Sequence, residues 1–239
     1  MKPTSDPFGN AVIEYLSNKS DAKITVESNL TEDEEIPVSY LFRKENDLPE
    51  KELFALQNVQ GRILDVGAGS GTHSLLLQAQ GHEVVAIDIS ELCVDAMKIQ
   101  GIKYTACVDF FEYQDTEKFD TILFLMNGFG IAGTLENLEP LFLKCKSLLK
   151  PNGIIIGESA DILYLFEEDD GSCAIDINGV YYGEMTYKMT YKNTVGDWFP
   201  WLYISSDLLT DCADQSGFQL KEIKHGSDDD FMICFQLKS

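Results

Sequence analysis

The stretch Ile63-Leu-Asp-Val-Gly-Ala-Gly-Ser-Gly-Thr-His73 sets glycines at 67, 69 and 71, with Asp65 two residues ahead of the first. Glycines lack a Cβ, so such a loop lets a ligand reach backbone amides, and a helix N-terminus behind it adds partial positive charge. The spacing decides between ligands. A G-x-G-x-x-G dinucleotide fingerprint needs its third glycine at 72, which is Thr. A phosphate-cradling P-loop needs a Lys after the glycines, and none follows. Other candidate polar groups punctuate the ends of apolar runs: Asp88 followed by Ile89, Asp109 followed by Phe110 with Glu112 as a competitor, and Met126-Asn127.

These residues imply a scaffold. Residues 62–66 read as a buried strand feeding the loop, and a helix follows as far as Gly81. Residues 83–88 predict a second strand, 90–100 its helix, 102–108 a third strand and 119–126 a fourth. The fourth is apolar almost throughout, as a central parallel strand is. Residues 135–149 predict a helix stopped by Pro151-Asn-Gly153, and 154–158 a fifth strand. Strands alternating with helices of about 10–15 residues imply parallel βαβ units with right-handed crossovers.

The flanks break that rhythm. Asp6-Pro7 marks a helix start, 20–36 is acid-rich, 36–43 is apolar and ordered, and Leu48-Pro49-Glu50 opens a short helix. Asn178-Gly179 between 172–178 and 180–192 predicts a hairpin. Its second arm puts Tyr181, Met185, Tyr187, Met189 and Tyr191 on one face. After an aromatic run at 198–203, a helix at 206–216 and strands at 218–224 and 231–237 close the chain.

Five landmarks in register, from the glycine loop to Leu148-Leu-Lys-Pro-Asn-Gly153, resemble the class I S-adenosylmethionine-dependent methyltransferases over residues 60–160. The resemblance implies an α/β, Rossmann-like, seven-stranded mostly parallel sheet with helices on both faces. It implies one domain, 1–239, with an N-terminal lid segment, 1–58, and a β-hairpin insertion after the fifth strand, 161–203. It implies S-adenosylmethionine as cofactor and methyl transfer to nitrogen or oxygen of a small-molecule acceptor. The cofactor residues it implies are Gly67, Ala68, Gly69 and Gly71 at the amino-acid end, with Asp65 near the ammonium and the Met126-Asn127 backbone facing it. Asp88 with Ile89 takes the ribose, and Asp109 with Phe110 the adenine. His73 stands either as a helix-start polar group or as a cofactor contact. Arg43 stands either as a partner of the methionyl carboxylate or as a surface charge.

Glu158 and Asp161 end the fifth strand on the rim where open α/β sheets bind ligands. With Tyr40 they are acceptor-contact candidates, against a reading as solvated rim. The aromatic residues of 181–203 either cage an aromatic or cationic acceptor or pack in a core or a homodimer contact. Asn127-Gly-Phe-Gly130 departs from the Asn/Asp-Pro-Pro-aromatic motif used on nucleobases and amides, and no dedicated base is evident. Two rival readings stand: a binding protein without catalysis, and a nicotinamide-dependent oxidoreductase.

Composition narrows the partners. The 239 residues hold 40 Asp and Glu against 18 Lys and Arg, a formal charge of −22, and just two arginines, Arg43 and Arg62. Such a field repels nucleic acid and anionic lipid, so neither is an expected partner. The six cysteines are scattered, without metal-ligand or disulfide spacing, so no metal site is expected. No apolar run reaches transmembrane length, and a cytoplasmic enzyme is the expectation.

Overall fold

The computed structural model describes residues 5–19, 22–168, 170–176, 179–226 and 229–238. In chain order the regular elements are α1 (Pro7–Asn18), β1 (Lys23–Ser28), β2 (Glu34–Pro37), α2 (Glu50–Asn58), β3 (Arg62–Val66), α3 (Thr72–Ala79), β4 (Glu83–Asp88) and α4 (Glu91–Ile99). Then come β5 (Tyr104–Cys107), β6 (Phe119–Phe124), α5 (Leu138–Leu148), β7 (Leu149–Ala160), β8 (Glu184–Tyr191), β9 (Thr194–Val195), β10 (Phe199–Leu202), α6 (Ser206–Gln215), β11 (Phe218–His225) and β12 (Asp230–Leu237). The main sheet has seven strands in the order β11-β12-β7-β6-β3-β4-β5. Strands β7, β6, β3, β4 and β5 are parallel, and β12 pairs antiparallel with both β7 and β11. The expected Rossmann-like sheet is present.

The two-residue period of the strands places apolar side chains on both faces. Leu64, Val66, Val85 and Ile155 pack on one side with Phe142 of α5 and Leu209 of α6. Ile63, Val84, Ile154 and Ile156 pack on the other with Leu56 of α2 and Leu77 of α3. Helices therefore cover both faces, which is why the central strands are apolar without alternation.

The flanks differ from expectation. Asp6 caps α1, accepting from the Gly9 amide at 2.7 Å. Among the described residues, 172–176 and 180–182 form no hairpin; residues 177 and 178 lie outside the described residues. Strand β8 pairs instead with β1 of the N-terminal segment, with β10 and with β9. The result is a five-stranded sheet, β10-β8-β1-β2 with β9 on β8. The predicted alternation of β8 survives this change of partner. Met185 and Tyr191 are buried, and Tyr187 and Met189 pack on a cluster with Ile24, Val26 and Val38. A strand with one apolar face satisfies its pattern against any cover, so the pattern alone did not name the partner.

Among the described residues, no helix is long and apolar enough to cross a membrane, and no group of His, Cys, Asp and Glu is placed to hold a metal ion. Cys93, Cys145 and Cys234 are buried free thiols, whereas Cys173 is exposed rather than buried.

Candidate active site

A cavity of about 420 Å³ lies between the two sheets. Its floor is the chain leaving β3 and β6: Asp65 through Ser70, then Leu125 to Gly128. Its roof is the inner face of the second sheet, with Met185, Tyr187 and Met189 of β8, Phe199 and Trp201 of β10, and Tyr203. The sheet's C-terminal edge opens there because parallel strands deliver their loops to one end.

The glycines divide their work. Gly67 (φ +66°) lines the cavity, and a Cβ there would meet no atom within 4 Å, so its bare backbone borders open space. Gly71 (φ +81°) precedes α3, and a Cβ there would overlap Met97 and Ile102. Gly71 therefore serves the packing of the loop on α4, and it is not part of the cavity lining. Asp88 stabilises the loop from the next strand, accepting from Gly69 N and from Ser90 N, each at 2.8 Å. Burial pushes its carboxyl up to about 6, against the opposing pull of the Ser90 and Gly69 amides. Asp65 is 2% exposed and accepts from Ser74 Oγ at 2.6 Å. Burial raises its pKa.

After β6, Met126 and Asn127 both adopt positive φ, +55° and +56°. Consecutive non-glycine residues in that region are costly and need outside support. Glu158 supplies it, accepting from Met126 N at 3.0 Å while pairing with Lys51 at 2.7 Å. Lys51 also pairs with Asp230. Glu158 thus braces the turn and lies outside the cavity lining, so the rim-acceptor expectation does not hold for it. Asp161 is likewise committed, accepting from Tyr182 Oη at 2.7 Å and Leu163 N at 3.0 Å.

Arg43 departs from the surface reading. Its side chain is 8% exposed and meets Glu52 at 2.9 Å, and Glu52 also accepts from His73 Nε2 at 2.6 Å. Burial opposes the Glu52 charge, but the His73 hydrogen bond and the Arg43 charge outweigh it and hold the carboxyl below its ordinary value. Tyr40 covers the guanidinium, ring centroid 3.9 Å from Cζ, and does not line the cavity as expected of an acceptor contact. Leu41 O accepts from Ser70 Oγ and, at 2.7 Å, from Thr72 Oγ1, tying the segment to the glycine loop. Local sequence hid Glu52 and Lys51, because Glu50-Lys-Glu52 reads as the solvated first turn of a helix.

Three buried polar atoms at this cavity have no hydrogen-bond partner among the described residues: Arg43 Nη1, Asn127 Oδ1 and Asn127 Nδ2. Each such atom costs about 1–3 kcal/mol when left unpaired. Together with the bare Gly67 backbone they form a cradle that fits an amino acid's carboxylate and ammonium. The residues expected to hold an adenosine lie elsewhere. Asp88, Ile89, Asp109 and Phe110 lie beyond the cavity lining. The Phe110 ring is 2% exposed and packs on Phe124 in the core, so it presents no face to an adenine. Ile89, 38% exposed, and Phe111, 36% exposed, are the apolar side chains at that rim. Asp109 Oδ1 accepts from Phe111 N at 2.9 Å.

Comparison with known proteins agrees with this geometry. The family model described as a methyltransferase domain matches residues 39–223. A crystal structure of an S-adenosylmethionine-dependent methyltransferase from Bacteroides fragilis, in complex with S-adenosyl-L-homocysteine, is 42% identical, covers 100% of both chains and superposes with a TM-score of 0.91. The ubiquinone biosynthesis O-methyltransferase of Bradyrhizobium diazoefficiens is 26% identical over 100 residues, 40% of this chain and 38% of that protein. The sugar N-methyltransferase KedS8 of a Streptoalloteichus species, 13% identical with a TM-score of 0.60 over 84% of this chain and 92% of that one, shares the fold. The glycine spacing, the cradle and these matches agree on one assignment: the chain is an enzyme of the S-adenosylmethionine-dependent methyltransferase family, with S-adenosylmethionine as its cofactor.

Proposed function

We propose that this enzyme transfers the methyl group to nitrogen or oxygen of a small molecule held under the second sheet. The observation that carries the residue assignment is the trio of unpartnered buried atoms beside the glycine loop. Arg43 Nη1 takes the cofactor carboxylate, a charge-assisted contact stronger than a neutral one. Asn127 and the main chain at Met126 hold the ammonium, with Asp65 behind them. Gly67, Ala68 and Gly69 pass the chain of the amino acid, and Asp88 accepts from the ribose hydroxyls. Asp109 meets the adenine edge, with Ile89 and Phe111 flanking its ring in place of Phe110. His73 acts through Glu52, fixing Arg43 rather than touching substrate.

When bound, the sulfonium supplies an electrophilic methyl group. The protein's share is placement and exclusion of water. The N-terminal segment 36–43 and the aromatic residues of 185–203 act as the lid, closing the acceptor space over the floor. Burial, aided by nearby acidic charge, raises the phenol pKa of both Tyr187 and Tyr203, so they serve as neutral hydrogen-bonding groups and not as bases.

Calorimetry tests the assignment. S-adenosylhomocysteine should bind and NADH should not. Arg43→Gln should weaken S-adenosylhomocysteine by about 2–3 kcal/mol, the value of a hydrogen-bonded charge. It should leave 5′-methylthioadenosine, which lacks the amino-acid end, nearly unchanged. Equal losses for both compounds would remove Arg43 from the carboxylate site.

A further inference from the structure

The two halves of the cavity differ in charge. The floor carries Arg43, Asp65 and His73, all engaged with protein partners. Among the described lining residues, the roof half carries a single charge, the carboxylate of Glu34 on β2. No hydrogen bond or ion pair engages that carboxylate among the described residues; Lys23 pairs with the neighbouring Glu35 instead.

Around it stands a run of aromatic faces. Tyr187 lies 6.3 Å from Phe199 and 6.3 Å from Tyr203, centroid to centroid, and Phe199 meets Trp201 edge-on at 6.2 Å. Tyr187 Oη donates to Tyr203 Oη at 3.2 Å. Glu34 is close enough for its charge to act on both hydroxyls. Ring faces and one carboxylate attract cations, and nothing in the roof half would neutralise an anion. The formal charge of −22 draws cations toward the molecule at long range.

We propose that the methyl acceptor is an amine on an apolar, aromatic-sized body without carboxylate or phosphate. This rests on the methyltransferase reading above and narrows it. A neutral amine brings its own lone pair, so the reaction needs no base to create a nucleophile, in keeping with protonated tyrosines. The amine is drawn in as its ammonium and first gives one proton to water at the mouth beside Glu34, which frees the lone pair. The N–C bond then forms as the S–C bond breaks, the S–C electron pair stays on sulfur, and the product leaves as the methylated ammonium. The positive charge that grows on nitrogen is met by Glu34 and the ring faces. Trp201 adds a steric argument. A Cβ on Gly130 would overlap its indole, so the ring rests on the backbone of the turn after β6 and narrows the cavity there.

The test uses three probes of one shape: phenethylamine, 2-phenylethanol and 3-phenylpropanoate. Each is titrated into the full chain saturated with S-adenosylhomocysteine. The amine should bind about fivefold tighter than the alcohol, and the carboxylate weakest of all. Glu34→Gln should abolish the amine's advantage and leave alcohol binding intact. Equal or tighter binding of the carboxylate, an amine preference that survives Glu34→Gln, or no binding by any probe would overturn the proposal. Methyl transfer to oxygen acceptors alone would also overturn it while leaving the methyltransferase reading standing. Failure of S-adenosylhomocysteine itself to bind would instead strike the residue assignment of the floor.

Discussion

The floor and the roof of the cavity are made from different kinds of chain. In the floor, residues 65–70 form one contiguous stretch of chain that presents bare backbone at Gly67 and Gly69 and is braced by the neighbouring strand through Asp88. In the roof, Thr25 pairs with Thr190 and Val26 with Met189, so two segments far apart in the chain make one sheet. Its lining is side chains: methionines, tyrosines, phenylalanine and tryptophan. A site made of backbone tolerates side-chain change around it, whereas a site made of side chains is remade by each substitution. On the function proposed above, this division separates a fixed cofactor half from an acceptor half free to differ among enzymes on one scaffold.

The joint that ties the N-terminal segment into the floor is the sharpest place to test that division. Glu52, 3% exposed at its side chain, holds Arg43 of the N-terminal segment and His73 of α3 together. Removing one partner of a buried ion pair strands the other charge and costs about 3–5 kcal/mol. Glu52→Ala should lose that much stability by denaturant unfolding, and hydrogen exchange in 36–43 should rise at the same time. A loss under about 1 kcal/mol, within the range of surface substitutions, would mean that the N-terminal segment is not mechanically joined to α3 there.

A second variant acts where floor and roof meet. Gly130 carries Trp201 directly on its backbone, so Gly130→Ala forces the indole to shift. Overpacking of this kind costs about 1–3 kcal/mol. The roof should loosen, with Trp201 fluorescence shifted and amine binding reduced, while S-adenosylhomocysteine affinity changes little. A parallel fall in cofactor affinity would show that floor and roof are one unit.

The floor was legible in the sequence and the roof was half legible, for the same reason. Residues 63–73 carry their fold in local spacing, and Asp65, Gly67, Gly69 and His73 line the cavity. The roof depends on pairing between remote strands. The alternation of Tyr187 and Met189 revealed a face, but not that β1 would cover its edge. Asn178-Gly179 is a strong local turn signal, yet the flanking arm at 172–176 does not pair with β8, which finds longer partners in β1 and β10. Charged residues were hardest to place. Glu158 and Glu52 sit in segments whose local pattern reads as rim and helix start, and only the tertiary fold brings Lys51, Arg43 and His73 to them. Gly71 and Phe110 satisfy the motif's spacing but serve packing.

The smallest effect expected is a pH dependence confined to the floor. Burial raises Asp88 from 3.8 to about 6 in the cofactor-free protein. Ribose hydroxyls donate to the ionised carboxylate, so binding favours the deprotonated form. Affinity for S-adenosylhomocysteine should therefore be flat above pH 6 and fall as pH drops through 6, by up to about tenfold per unit. The same shift acts on stability with the opposite sign. A carboxyl whose folded pKa exceeds its unfolded value contributes stability at low pH that is lost as pH rises through 4 to 6. Cofactor affinity and the Asp88 contribution to stability should thus run in opposite directions across that window. Asp88→Asn keeps an acceptor oxygen but cannot titrate. The difference between wild type and Asp88→Asn, measured by calorimetry and by denaturant unfolding at pH 5, 6 and 7, isolates both trends from the other carboxylates. Amine binding in the roof should be untouched by Asp88→Asn. A cofactor affinity that stays level from pH 7 to pH 5 in the wild type would remove Asp88 from the ribose and leave it as a brace for Gly69 alone.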